Sequence, residues 1–385
     1  MSSPLNASGT SRRSQRLEDK LRRPQVFAEI AKTGSAMSGK AQTDFIDVLE
    51  TTSDTFRNLL VDAALIQKTN IDNTDIHSNP IWQAVPGLRI GFVEGGVAKA
   101  SLSDAASPAV RVGSCVVVPG PREPDRKPVG IDFEVHPVHE LYQSAATQRG
   151  VYDDQSEDTA KLMNAARIAC EMGAILSLLE NKPSPDVILL HGSLVYPVSP
   201  YASVRPGDPG AFPNFREAAL PKLLAGVDCA RTGRDANFIS VYLEQLNRMA
   251  KSDETVCGMV ERSASQAPGI LTKALLQRLK DESLIDLTFQ RQFLDSMNRY
   301  GIGDTVLFEC VLDEGEFAEP VQADMQEEGR IPVHWEAEIQ SYPKPLMTYA
   351  KAHADMMPVR IEILIGKLLD SHQLTRLIIH MSRLT

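Results

Sequence analysis

Between residues 53 and 67 the order SDTFRNLLVDAALIQ places Phe56, Leu59, Leu60, Ala63 and Ala64 three and four apart behind a capping-type serine. That is the spacing of a helix with one buried stripe. The pattern then changes to short β-rich runs parted by glycine and small polar residues. The stretches 88–96, 100–103, 110–120 and 130–136 are expected as consecutive strands of one sheet. A second helical period covers 156–181, with apolar residues at 162, 165, 168, 169, 172, 175, 176 and 179, and predicts a long buried helix. The almost wholly apolar run 186–195 follows, suited to a central strand covered on both faces.

Further along, 196–214 is rich in proline and glycine and reads as a long loop of the kind that carries function or partner binding. Helices are expected at 215–226, 235–251, 269–281 and 285–299, and strands at 255–263, 305–312, 331–338 and 358–365. The acidic stretch 313–329 reads as an exposed insertion. The chain ends in an amphipathic helix on which Leu368, Leu369, Leu377, Ile378, Met381 and Leu384 recur. Residues 1 to about 14 are small and polar and are expected to be disordered, with a helix beginning between Arg12 and Arg23. This order predicts an α/β fold with a mixed sheet and terminal helical extensions. Residues 1–50 form the N-terminal tail and extension, 51–370 the main domain, and 371–385 the end of the C-terminal helix.

Composition narrows the function classes. The chain has 385 residues, 43% hydrophobic and 23% charged, enough to bury a sizeable core. No run approaches the ~20 apolar residues of a membrane span, and the N-terminus lacks the apolar stretch of a signal peptide, so no membrane is expected and the cytosol is. The five cysteines are scattered with no C-x-x-C pair, which points away from a zinc ribbon or a disulfide framework. A net charge of −10 excludes coating of nucleic acid by bulk electrostatics, so any DNA contact must be local. No P-loop and no G-x-S-x-G elbow occur.

Two turns carry candidate chemistry. Glu94 in GFVEGG and His191 in ILLHGSL each stand at the end of an apolar strand directly before glycine, where α/β sheets build their sites. Glu171 on the long helix can reach the same rim. Two carboxylates and an imidazole are acceptable ligands for manganese. Each also has a plainer reading: Glu171 pairs with Arg167 four residues earlier, Glu94 caps its turn, and His191 is a satisfied, partly buried histidine. Asp132, Glu134 and His136 alternate along one strand and read as an exposed polar face. His136 and His139 have no helix to align them for zinc.

The succession of motifs resembles the NurA family of nucleases. Val93-Glu94-Gly95-Gly96 is similar to the family's strand ending in Val-Asp-Gly-Ser or Val-Asp-Gly-Gly, Arg167 to Glu171 to its Arg-x-x-x-Glu helix, and Leu190-His191-Gly192-Ser193-Leu194 to its Leu-Asp-Gly-Ser-Leu strand. CGMVERS resembles a Gly-Val-Val-Lys-x-Ser strand, SLIDLTFQRQFL an Asp-containing helix, and residues 359–362 (VRIE) a C-terminal strand of bacterial members. Three positions depart: Glu94 and His191 replace Asp, and Glu261 replaces Lys. The resemblance implies an RNase H-like mixed sheet flanked by helices. It implies a manganese-dependent single-strand endonuclease and 5′-to-3′ exonuclease, with magnesium weaker, and a homodimer joined through its terminal helices and working on DNA ends with a HerA-type hexameric ATPase. Glu94, Glu171 and His191 would be its catalytic metal ligands, and Lys99, Arg262 and Arg360, beside the motifs, would touch DNA. A NurA-like subunit that no longer cuts and serves the motor as scaffold or regulator is the alternative.

Overall fold

The computed structural model describes residues 17, 19–35, 40–70, 87–98, 108–118, 129–142, 156–198, 201, 214–225, 236–261, 269–326 and 335–383. Helices α1 (Pro24–Ser35) and α2 (Lys40–Asp62) lead into strand β1 (Ile66–Lys68). Strands β2 (Ile90–Ala98), β3 (Ala109–Val117) and β4 (Val129–Pro137) follow, then the short α3 (Val138–Leu141), the long α4 (Ser156–Glu180) and β5 (Val187–His191). After a 3-10 turn at Glu217–Ala219 come α5 (Leu220–Leu223), α6 (Phe238–Ala250), β6 (Thr255–Val260), α7 (Ile270–Asp281), α8 (Leu287–Tyr300) and α9 (Asp304–Val311). The chain closes with β7 (Glu316–Ala318), β8 (Val321–Gln322), α10 (Glu336–Gln340), β9 (Leu346–Ala350), β10 (Val359–Leu364) and α11 (Ser371–Ser382).

One mixed sheet gathers the strands in the order β1-β7-β9-β10-β6-β5-β2-β3-β4, with β8 beside β9. Strands β2, β3 and β4 form an antiparallel meander, whereas β5 runs parallel to both β2 and β6. Two parallel neighbours need a crossover between them, and α4 and α6 supply it. A meander, a helix, then two parallel strands on the meander's first strand is the RNase H-like order that the resemblance implied.

The pleat sorts side chains to two cores. Val93, Ile188 and Leu190 join Ala165, Ile168, Met172 and Ile175 of α4 in the larger cluster. Ile90, Val187, Leu189, Ile361 and Ile363 join Leu374, Leu377 and Ile378 of α11 on the opposite face. Residues 90, 92 and 94 therefore point to the α11 side, and 91, 93 and 95 to the α4 side. Both terminal extensions pack on their own chain: Val26 and Ile30 of α1 are buried in the larger core, and α11 covers the second. The segment Ala160–Glu180 of α4 is long and apolar enough to cross a bilayer, but it is the core helix and mostly buried.

Several expectations are corrected. Residues 305–312 form helix α9 rather than a strand, and all but Thr305 of Asp304–Val311 are buried. A short apolar run buried all round carries no period to tell helix from strand, and Asp304 in the first turn favours the helix. The acidic stretch from 313 enters the sheet as β7 and β8. Phe317 and Ala318 are buried, while Glu316 and Asp313 meet Arg57 (2.7 and 3.2 Å) and Glu319 meets His372 (3.0 Å), so the charges are paired rather than solvated. Glu336–Gln340 is helical where a strand was expected, and 331–334 lie outside the described residues.

Smaller differences concern ends. The helix expected from Ser53 starts at Lys40, with Ser53 internal and bonded to the Glu50 carbonyl (3.1 Å). The C-terminal helix starts at Ser371 behind a capping box of Asp370 and Gln373, which leaves Leu368 outside it and exposed. Strands β1 and β9 were not anticipated. Residues 1–16, 100–103 and most of the 196–214 loop lie outside the described residues.

Candidate functional site

Strands β2, β5 and β6 run parallel, and β5 and β6 end together at His191 and, just past β6, Glu261. Glu94 stands beside them in mid-strand, one residue past the stretch of β2 paired with β5; the strand expected to end at Glu94 runs on to Ala98 along β3. His191 Nδ1 lies 3.2 Å from Glu94 Oε1, and Nε2 lies 4.0 Å from Glu261 Oε2. All three side chains are more than half exposed. The imidazole thus stands between two carboxylates at an open rim. With the proton on Nδ1 it donates to Glu94 and presents its Nε2 lone pair; the tautomer decides which ring nitrogen can take a proton or a metal.

Glu171 belongs to the same end of the sheet but to the other face. It is fully buried on α4 and pressed against Gly95, where a side chain would come within 2.6 Å of its Cγ and 2.8 Å of its Cδ. Both carboxylate oxygens accept from Arg167 Nη1, at 2.6 and 2.8 Å, and Arg167 Nη2 donates to the Tyr196 hydroxyl (3.1 Å) and to Asn164 Oδ1 (3.0 Å). Burial pushes the Glu171 carboxyl up to about 7, against the opposing pull of Arg167 and His191; the charge of Glu94 adds to the rise. Burial also works against the Arg167 charge, yet Glu171 and Tyr196 more than offset it and hold the guanidinium above its ordinary range. The sequence placed Glu94, Glu171 and His191 on one rim. The structure brings Glu94 and His191 together and sets Glu171 behind the sheet, within electrostatic reach of both.

A divalent cation needs several hard ligands close together. Glu94 and His191 offer one carboxylate and one imidazole, a set suited to a hydrated ion that takes its remaining oxygens from water and phosphate, manganese before magnesium. Glu171 does not join them, being engaged with Arg167. Among the described residues no three His, Cys, Asp or Glu side chains are grouped to hold one metal ion.

The residues expected to touch DNA fare differently. Lys99 and Arg262 lie outside the described residues. Arg360 is corrected: it is nearly buried on β10, with Nη2 2.9 Å from Glu362 Oε1, because its strand is internal to the sheet and the side chain faces the larger core. Asp132 and Glu134 are exposed as expected, but His136 is mostly covered and pairs with Glu134 (2.9 Å), and burial lowers its pKa. These three line a cleft of about 680 Å³ with Arg89 and Lys222, away from the Glu94–His191 rim. Asp286, noted within the Asp-containing helix motif, caps α8 by accepting from the Phe289 amide (2.7 Å).

Sequence reasoning missed Glu362, a wholly buried carboxylate that grips the turn after His191. The signal was present: Arg360 and Glu362 are two apart in an apolar strand and so share a face, the mark of a buried ion pair.

No family model and no curated protein matches the chain. Among solved structures, the NurA nuclease from Sulfolobus solfataricus is similar at 11% identity and a TM-score of 0.42, over 91% of this chain and 87% of that one. A NurA bound to dAMP and manganese is similar at 10% identity and a TM-score of 0.40, over 87% of each chain. An endonuclease V from Bacillus subtilis shares 9% identity at a TM-score of 0.27, over 77% of this chain and 72% of that one. These likenesses are loose, so the functional reading rests on the chain's own residues.

Proposed function

We propose that the chain is a metal-dependent deoxyribonuclease of the NurA kind that trims DNA ends, with Glu94 and His191 at its reacting centre and a HerA-type hexameric translocase feeding it. The observation that carries this reading is the pairing of Glu94 with His191, 3.2 Å apart, where the parallel pairing of β2 with β5 ends. The two residues come from motifs 97 positions apart in the sequence. The RNase H-like order of the sheet supports the reading, because strand ends at such a switch from antiparallel to parallel pairing are where this architecture places chemistry.

Each residue has a part in this account. Glu94 and His191 would hold a hydrated divalent ion, manganese in preference to magnesium, which when bound supplies neutralising charge at the scissile phosphate and an acidified water. With no ion bound, Glu94 fixes the imidazole ring through Nδ1. Glu261, on the far side of the ring, keeps Nε2 in a negative field and favours binding of a cation over binding of bare phosphate. Glu171 with Arg167 forms a neutralised pair behind the sheet that holds Gly95, and with it the Glu94 backbone, in place.

A homodimer is part of this proposal, since a two-fold pair is the commonest assembly and would present two such rims to one motor. The packing of α1 and α11 on their own chain moves its interface away from the buried faces of those helices.

One observation favours a second reading, a subunit that binds the motor without cutting. Glu171 stands where the resemblance implies a third ligand, yet both its oxygens are taken by Arg167. Purified protein incubated with single-stranded DNA and manganese separates the two, with the translocase and ATP added for duplex ends. Cleavage lost in Glu94→Ala supports the enzyme. Absence of metal-dependent cleavage with and without the motor, while the motor is still bound, leaves the non-cutting subunit.

A further inference from the structure

The turn that follows His191 leaves the sheet and doubles back beneath it. Gly192 donates its amide to the Met259 carbonyl (2.8 Å) and adopts a φ of +140°, which a side chain at that position would resist. The turn then crosses Gly258 of β6 so closely that a Cβ there would lie 2.6 Å from the Leu194 amide nitrogen and 2.8 Å from the Gly192 carbonyl. It ends on Glu362 of β10. That carboxylate accepts from the Ser193 hydroxyl (2.9 Å to Oε1, 3.0 Å to Oε2) and from the amides of Leu194 (2.8 Å) and Val195 (3.0 Å), both at Oε2. Arg360 Nη2 completes the set on Oε1 at 2.9 Å.

A carboxylate with no exposure is costly to bury as an anion, and here it is matched by three hydrogen-bond donors and a guanidinium. The donors all belong to three consecutive residues beginning two positions after His191. The backbone of that segment has few other ways to be satisfied: the Tyr242 hydroxyl takes up the Leu194 carbonyl and the Tyr196 amide, both at 2.8 Å. The direction in which the chain leaves β5, and so the direction of the last side chain on β5, is set from β10, two strands away across β6.

We propose that Glu362 is the positioning residue of the site: through Ser193, Leu194 and Val195 it fixes the turn that aims the His191 ring at Glu94. This rests on the reading of Glu94 and His191 as the reacting pair, and it assigns Arg360 the role of counter-ion to Glu362. The positioning effect is distinct from general stability, because a buried ion pair elsewhere, Glu309 with Lys351, holds another part of the fold and gives a matched control.

The test compares wild type, Glu362→Gln, Ser193→Ala and Glu309→Gln. The first readout is the NMR signal of the His191 ring at one fixed pH without metal or DNA; the second is binding of Mn²⁺ alone followed by electron paramagnetic resonance. Glu362→Gln is expected to displace the His191 ring signal and weaken Mn²⁺ binding about tenfold, the usual size of an effect on residues that orient a ligand. Ser193→Ala should do the same to a smaller degree, and it decides the matter if Glu362→Gln does not fold. Glu309→Gln should lower the melting temperature and leave the ring signal in place. A ring signal unmoved in both Glu362→Gln and Ser193→Ala, or moved equally by Glu309→Gln, would overturn the proposal. Failure of the wild type to bind Mn²⁺ would instead count against the nuclease reading, with the ring signal still deciding the role of Glu362.

Discussion

The Glu171 carboxylate rests directly against Gly95, close enough that no side chain fits between α4 and β2 at that point. This contact joins the buried pair Arg167–Glu171 to the strand that carries Glu94. Gly95→Ala should therefore push Glu171 off Arg167 and destabilise the protein by about 1–3 kcal/mol, the range for overpacking a dense interior. Urea denaturation checks it. An unchanged midpoint would show that the helix and strand are not in register as described.

The raised pKa of Glu171 has a pH signature. A carboxyl lifted in the fold from 4.5 to about 7 binds its proton more readily there than in the unfolded chain. Its contribution is fully present below the unfolded value and is lost as pH rises through the folded one. The melting temperature of the wild type, measured relative to Glu171→Gln, should thus decline between pH 4.5 and about 7.5. A difference that stays flat over that window contradicts the assignment.

Lys20 tests the N-terminal extension. Its ammonium is buried and donates to the carbonyls of Glu309, Cys310 (3.2 Å) and Leu312 (2.8 Å) at the end of α9. Cations at a helix C-terminus are favourable, and losing a buried charged donor leaves its acceptors bare. Lys20→Met should cost about 3 kcal/mol of stability in a chemical denaturation curve. A loss under about 0.5 kcal/mol would mean that the extension is not docked in solution.

Assembly gives a further check. Light scattering at micromolar concentration should report a dimer of the full chain, and deletion of residues 1–16, which precede the packed extension, should leave it intact. A strict monomer, alone and with the motor, would contradict both the dimer and the motor-coupled reading.

The sequence carried the central fold well because its elements there are periodic. The stripe of α4 and the apolar run of β5 each declare one structure, while β2 runs through the glycines expected to end it. The second half was harder to read. Residues 305–312 are buried on nearly every side, the charged Glu309 included, so the run lacks the solvent-facing polar stripe that would distinguish helix from strand. The charges at 313–319 suggested solvent only because their partners, Arg57 and His372, are 256 and 53 residues away from the groups they meet. At the site, a glycine directly after an ionisable residue in an apolar run was enough to single out Glu94 and His191, although Gly95 lies within β2. The face each side chain takes depends on the parity of a pleat that the sequence alone does not register, and Glu171 fell on the other side.

The most direct measurement is cleavage of a single-stranded oligonucleotide by wild type and His191→Asp, each with manganese and with magnesium. If His191 and Glu94 hold the metal together, the wild type cuts with manganese and much less with magnesium. Replacing the imidazole by a carboxylate then raises magnesium-supported cleavage, because magnesium strongly prefers oxygen ligands. Magnesium-supported cleavage that is unchanged or lower in His191→Asp, with the variant folded, would contradict the placement of His191 at the metal.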